Sequence, residues 1–169
     1  MVILIRLKLN SVLMVTIEFF ALLLLVMFAV VLAVICKRHG VPDMVSDCYY
    51  LTNQSMLVPV MLIALGITFL PVMIDKGGID CMAFLTCAGL AFVGAAPAYL
   101  DGLDRKVHKT AAIVSAAASV IWAVSVDVLP TLFSALAAAL AMALQHKKWL
   151  FWAEVIAIAN VAETVAVGR

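Results

Sequence analysis

The first long apolar run restricts the fold of this chain more than any other feature of its sequence. From Ser11 to Cys36 almost every residue is apolar, and the run ends at the basic cluster Lys37-Arg38-His39. A helix needs about 20 mostly apolar residues to cross a bilayer. The run is also longer than the roughly 7–15 apolar residues of a secretory signal peptide. We therefore expect it to stay in the protein as a transmembrane helix.

Similar runs recur along the whole chain. Hydrophobic residues make up 67% of the 169 residues and charged residues only 12%, about half the charged share of a soluble domain. Lipid can accept this much apolar surface, whereas a soluble fold of this size cannot bury it. The sequence predicts an all-α integral membrane protein, one transmembrane domain over residues 1–169. We expect a bundle of about six transmembrane helices, at about 11–36, 55–74, 81–100, 108–126, 128–145 and 149–167.

The boundary between the fourth and fifth predicted helices rests on two residues. Only Asp127 and Pro130 interrupt the apolar run there. A single helix over 108–145 is too long for one crossing at about 1.5 Å per residue. We therefore expect a tight helical hairpin at 126–130.

The distribution of Lys and Arg favours one orientation in the membrane. Four of these residues fall on the side of the termini, and seven fall in the loops of the other side. The four are Arg6, Lys8, Lys76 and Arg169, and the seven are Lys37, Arg38, Arg105, Lys106, Lys109, Lys147 and Lys148. Because cytoplasmic loops are enriched in Lys and Arg, we expect both termini on the non-cytoplasmic side. Because the predicted loops are short, we expect the protein to lie in a bacterial inner membrane.

Small residues are frequent in the third, fourth and fifth predicted helices, including Gly89, Gly94, Ser115, Ser119 and Ser134. Small residues let membrane helices approach closely. They predict close packing of these three helices, and they equally permit packing between subunits of a homo-oligomer. Membrane lipids are the expected surroundings. A net charge of +1 argues against a nucleic-acid partner, which would call for a basic face.

Three carboxylates fall within the predicted spans, where ionisable groups are costly and often functional. These are Glu18, Glu154 and Glu163, with Asn160 three residues before the last. We predict a proton- or cation-binding site of Glu18, Asn160 and Glu163 between the first and sixth helices. The alternative is that Glu154 and Glu163 reach water near the helix ends. Glu18 would then be a lone protonated carboxyl bonded to a hydroxyl.

The segment from His39 to Leu51 is too polar to span and too apolar to be an ordinary loop. Gly40 and Pro42 break the helix, and Asp43 or Ser46 could cap the next one. One interpretation folds the segment into the mouth of the bundle, where it presents Ser46, Asp47 and Tyr50. The other is a capped interfacial turn with a belt of tyrosines.

Histidines lie in three loops of the same predicted side, at His39, His108 and His146. Histidines and carboxylates on one face are what a hydrolytic zinc site would need. None of the three forms a local pair, and interfacial residues in basic runs look the same. We therefore predict no metal ligand and no cofactor.

One motif carries a resemblance to known proteins. The pattern Pro42-x-x-x-Ser46-x-x-Tyr49 follows the first helix, and His108 opens a later one. This order resembles small bacterial and phage polytopic membrane proteins of unknown function and DRAM-like six-helix proteins. It is also similar to the ceramidase-like membrane hydrolase superfamily. That resemblance implies an alternative function, a zinc-dependent lipid hydrolase with Ser46, Asp47 and His108 as catalytic residues. Our first expectation is a non-enzymatic protein that moves a small solute, protons or cations, or serves as a membrane scaffold.

Overall fold

The computed structural model describes residues 2–51, 56–95, 102–144 and 146–167, and all regular structure in these ranges is helical. Within them, the side chains of residues 2–10, 102–105, 130, 141, 142, 144 and 146 are left out of the description. The helices are α1 (Val2–His39), α2 (Cys48–Leu51), α3 (Leu57–Asp75), α4 (Asp80–Ala95), α5 (Gly102–Val126), α6 (Val128–Leu144) and α7 (Trp149–Val167). Short 3-10 turns precede α2 and α7, at Val45–Asp47 and His146–Lys148.

The described residues contain four helices that are long and apolar enough to cross a bilayer. They are Ser11–His39, Leu57–Asp75, Lys106–Val126 and Trp149–Val167. The structure confirms the all-α class, but it gives spanning length to four helices instead of the predicted six. The 16 residues of α4 extend about 24 Å, less than the roughly 30 Å hydrocarbon core. The end of the third predicted helix, residues 96–100, lies outside the described residues. Like α4, α6 is apolar but shorter than the four spanning helices.

Two helices extend beyond the apolar runs that predicted them. α1 begins at Val2 instead of near Ser11, and α5 begins at Gly102 instead of near His108. Hydropathy locates the part of a helix that suits lipid, and it does not mark the residue at which the helix itself begins. Asp127 alone separates α5 from α6, and its carboxylate accepts a hydrogen bond from Leu129 N–H at 2.9 Å.

Long helices that follow one another in the chain are antiparallel, whereas α5 and α7 run in the same direction. α3, α4 and α5 pack side by side in chain order, α7 packs on α5, α6 packs mainly on α7, and α1 covers α3. We call the end that carries residues 39–51 the upper end. The lower end carries the α3–α4 turn at residues 76–79 and the break at Asp127.

Glycines allow the closest contacts between the central helices. A Cβ on Gly66 of α3 would lie 2.6 Å from the carbonyl oxygen of Cys87 in α4, and one on Gly89 of α4 would lie 2.6 Å from Ser115 Cβ in α5. The helices therefore touch through backbone, as small residues permit in membranes. The predicted trio of close-packed helices was α4, α5 and α6, whereas the close approaches join α3, α4 and α5.

A buried tryptophan closes the lower end. Trp122 of α5 is fully buried, and its Nε1–H donates to the Gly77 carbonyl oxygen at 3.0 Å. Ser125 Oγ accepts a hydrogen bond from Ile79 N–H at 3.2 Å in the same turn. The lower turn is therefore held by α5. Many large apolar side chains of α1, α5 and α6 remain exposed, as expected for faces that lie against lipid.

Candidate functional site

The segment 40–47 folds onto the upper end of the bundle. Val45 and Ser46 are buried, while Tyr50, in the helix that follows, is 66% exposed. Asp47 Oδ2 accepts a hydrogen bond from Met44 N–H at 3.1 Å, which closes a tight local turn. Lys148 Nζ donates to Asp43 Oδ1 at 2.6 Å. The segment is thereby tied to the start of α7, about a hundred residues away in the chain.

A serine and a histidine meet beneath this segment. Ser46 Oγ lies 2.9 Å from Nε2 of His108, and both side chains are buried. His108 is in the second turn of α5. The pair has the separation found between a nucleophilic hydroxyl and its general base. Asp47, the third residue of the predicted catalytic group, bonds to backbone, and its charge lies close enough to interact with His108.

A carboxylate of α7 holds the other side of the segment. Glu154 Oε2 accepts a hydrogen bond from Val45 N–H at 2.7 Å. The charge of Asp47 also acts on this carboxyl group. Ser46, Asp47, His108 and Glu154 therefore form one polar cluster at the upper end, and the segment 40–47 joins its α5 and α7 sides.

A pocket opens below Glu154, between α3, α4, α5 and α7. The space between its lining atoms is about 720 Å³ when the open solvent at its mouth is included. Glu154 is the ionisable side chain of its lining, and Val45 forms part of the upper wall. The remaining wall is apolar apart from three hydroxyls and a thiol, and its lining includes Leu62, Leu65, Phe69, Met73, Cys87, Leu90, Val93, Ala116, Ala157 and Val161.

The three hydroxyls of the pocket wall donate their hydrogens to backbone. Ser115 Oγ donates to the Thr86 carbonyl oxygen at 2.7 Å. Thr86 Oγ1 donates to Met82 O at 2.8 Å, and Ser119 Oγ donates to Ala116 O at 2.8 Å. A hydroxyl has a single donor hydrogen and two acceptor lone pairs. These groups therefore offer only lone pairs to the pocket.

The three residues of the predicted cation site lie in different surroundings. Glu18 forms an ion pair with Lys76, with 3.3 Å between Oε1 and Nζ. Because Lys76 belongs to the lower turn, Glu18 marks the lower end of the bundle. Asn160 is 2% exposed, and neither polar atom of its amide has a hydrogen-bond partner. Glu163 is half-buried on the same helix. No described contact joins the three, and the cation site stays a prediction.

The described residues hold no group of three His, Cys, Asp or Glu side chains that could bind a metal ion. His39 is exposed at the end of α1, and the side chain of His146 is outside the description. Cys48, just after the segment 40–47, is fully buried, and burial raises the pKa of its thiol to about 12. This thiol is therefore inert at neutral pH.

The sequence pattern missed the role of Glu154. The carboxyl is in the second turn of α7, and proximity to a helix end suggested that it reaches water. Its partner, Val45, is 109 residues away. Two features of the sequence could have indicated this role: Glu154 is a carboxyl group within a predicted span, and one interpretation of the segment from His39 to Leu51 folds it into the mouth of the bundle. No spacing rule connects two such distant elements.

Comparison of the chain with protein-family models, with curated proteins and with solved structures finds no match. We therefore infer the function from the chemistry of the pocket and of the polar cluster above it.

Proposed function

We propose that the protein is a six-helix integral membrane protein that binds a small amphipathic solute in the pocket and transports it. Four spanning helices support the membrane location. Each of α3, α5 and α7 runs from the upper to the lower end, so α4 and α6 must carry the chain back, which supports six crossings. We further propose a bacterial inner membrane, with the upper end in the cytoplasm and both termini on the other side.

The observation that carries this proposal is one carboxyl group in a largely apolar pocket. Ligand sites combine an apolar wall with a few polar groups that fix the orientation of the ligand, and Glu154 is such a group. An ionised carboxylate away from water is costly unless a partner compensates it. A purely structural role would not require one facing a cavity. In transporters, intramembrane carboxylates commonly mark the path of the substrate or of protons.

Adjacent alanines of α5 provide a matched test. Ala116 lines the pocket, whereas Ala117 is exposed on the outer face. In proteoliposomes we would measure binding and uptake of fluorescent amphipathic solutes that are cationic, neutral or anionic. We expect Ala116→Phe to abolish binding and uptake of at least one solute, and Ala117→Phe to leave both unchanged. If no solute gives a signal that Ala116→Phe removes, the proposal is wrong.

A second candidate, the ceramidase-like zinc-dependent lipid hydrolase, is favoured by the contact between Ser46 and His108. The described residues do not supply the three protein ligands of a catalytic zinc, so they do not fit the metal. Zinc analysis of the purified protein, combined with hydrolysis of a fluorogenic ceramide, tests this candidate. Amide cleavage that depends on added zinc and is lost in His108→Ala would favour the hydrolase over the transporter. A protein without zinc and without amidase activity removes it.

A homo-oligomer remains a third element of the proposal. The glycines of α3 and α4 are used within the bundle, so any subunit contact would employ outer faces such as that of α6. Mass spectrometry of the protein released from lipid nanodiscs tests the oligomeric state.

A further inference from the structure

We propose that the ligand of the pocket is a monovalent organic cation with an apolar body. This inference rests on the proposed function, because it specifies the solute class of the same pocket. It follows from three properties of the lining: the type of hydrogen-bonding group that it offers, the charge around Glu154, and the length of the apolar wall.

The pocket offers acceptors and lacks free donors among its described polar groups. The hydroxyl hydrogens of Thr86, Ser115 and Ser119 are directed to backbone carbonyl oxygens. The N–H of Val45 is bonded to Glu154. A ligand whose head accepts hydrogen bonds, such as a carboxylate or a phosphate, finds no donor there. A positively charged head finds carboxylate and hydroxyl oxygens.

The charge around Glu154 also favours a cation. Among the described residues, the salt bridges are Lys76 with Glu18 and Lys148 with Asp43, so neither of these lysines compensates Glu154. Asp47 adds a second negative charge nearby. A carboxylate withdrawn from water is stabilised by an opposite charge at close range. A ligand cation would supply that charge, which neither of the described salt bridges provides to Glu154.

The apolar wall fixes the shape of the remaining part of the ligand. Along α3 it extends from Leu62 to Met73, about 16 Å at 1.5 Å per residue. Phe69 contributes an aromatic face to this wall. A wall of this length suits several alkyl or aryl groups attached to one charged centre. It does not suit a small inorganic cation, which would need oxygen ligands on several sides.

Two ions of nearly identical shape and opposite charge provide the test. Tetraphenylphosphonium and tetraphenylborate would be titrated into protein in a neutral detergent, with empty micelles as the blank. We expect the cation to bind at least tenfold more tightly than the anion. We expect Glu154→Gln to weaken the cation by about tenfold, which corresponds to ~1.4 kcal/mol. The glutamine can still accept the Val45 N–H bond, so the fold should be retained, and a thermal melt checks this.

The matched control is Asp80→Asn, which removes one negative charge from the exposed first turn of α4. We expect it to leave cation binding unchanged. Equal binding of the two ions, or full cation binding in Glu154→Gln, overturns the proposal of a cationic ligand. If the cationic ligand is overturned in this way but Ala116→Phe still abolishes binding of either ion, the proposed function is retained. Absence of any binding sensitive to Ala116→Phe would overturn both.

Discussion

Replacing Gly89 by alanine tests the contact between α4 and α5 that forms one wall of the pocket. A Cβ at this position would lie 2.6 Å from Ser115 Cβ, 3.0 Å from Ala111 O and 3.2 Å from Ser115 Cα. Non-bonded carbon atoms prefer about 3.5–4.0 Å. The two helices would therefore have to separate by roughly 1 Å, which is the difference between the preferred carbon–carbon distance and the 2.6 Å to Ser115 Cβ.

Two opposing effects decide the size of the change. Alanine favours a helix over glycine by roughly 1 kcal/mol, and overpacking costs about 1–3 kcal/mol. Two of the three close atoms belong to the backbone, so a change of rotamer cannot relieve them. The separation would also stretch the bond from Ser115 Oγ to Thr86 O, now 2.7 Å. We therefore expect overpacking to dominate, with a net loss of up to about 2 kcal/mol in the free energy of unfolding.

The assay is unfolding of the purified protein by SDS in mixed micelles, followed by circular dichroism. Ala117→Leu adds more volume on the exposed face of α5, and we expect it to change the stability by less than about 0.5 kcal/mol. Ser115→Gly removes the atom closest to the new Cβ. We expect the double variant to lose about 1 kcal/mol less than the sum of the two single variants. A Gly89→Ala protein as stable as the wild type, or strictly additive losses, would refute the close approach.

Three other predictions concern polar groups away from this contact. Asn160→Leu should raise the free energy of unfolding by about 1–2 kcal/mol, because the buried amide lacks partners, and a loss of stability would instead reveal a bound ion or water. Lys76→Met should lower the free energy of unfolding by about 1–3 kcal/mol. Adding Glu18→Gln should recover part of that loss, because the second substitution removes the carboxylate left without its ion pair. Additive losses in the same SDS titration would argue against the pair. Maleimide at pH 7 should label the exposed Cys81 rapidly and spare Cys48, whose pKa burial raises to about 12; peptide mapping that finds Cys48 labelled in the folded protein would contradict its burial.

The all-α class was predictable because hydropathy and backbone chemistry point the same way. In a bilayer a spanning backbone must satisfy its own polar groups, and a helix does so within one segment. The apolar run of α1 alone is enough for this inference. The helix neighbours were not predictable, since small residues indicate a close contact without naming the partner. Gly66, which had not been singled out, proved to touch α4.

The polar cluster was predictable only in part. Ser46 and His108 were grouped through a resemblance, and the structure brings them within 2.9 Å. The place of Glu154 in this cluster could not be predicted, because its burial depends on the segment 40–47 folding over it. Hydrophobic periodicity describes one helix at a time. It carries no information on contacts between residues 109 positions apart.

The bond between Val45 and Glu154 also has a consequence for biosynthesis. A polytopic chain enters the bilayer from its N-terminus as it is synthesised, and its helices associate afterwards. Val45 leaves the ribosome long before α7, so its amide must wait for α7 before it gains this acceptor. A nascent chain arrested ahead of Trp149 would hold its earlier helices in the bilayer with an unfinished upper end. Quality control that recognises exposed polar backbone would find there the signature of an incomplete chain.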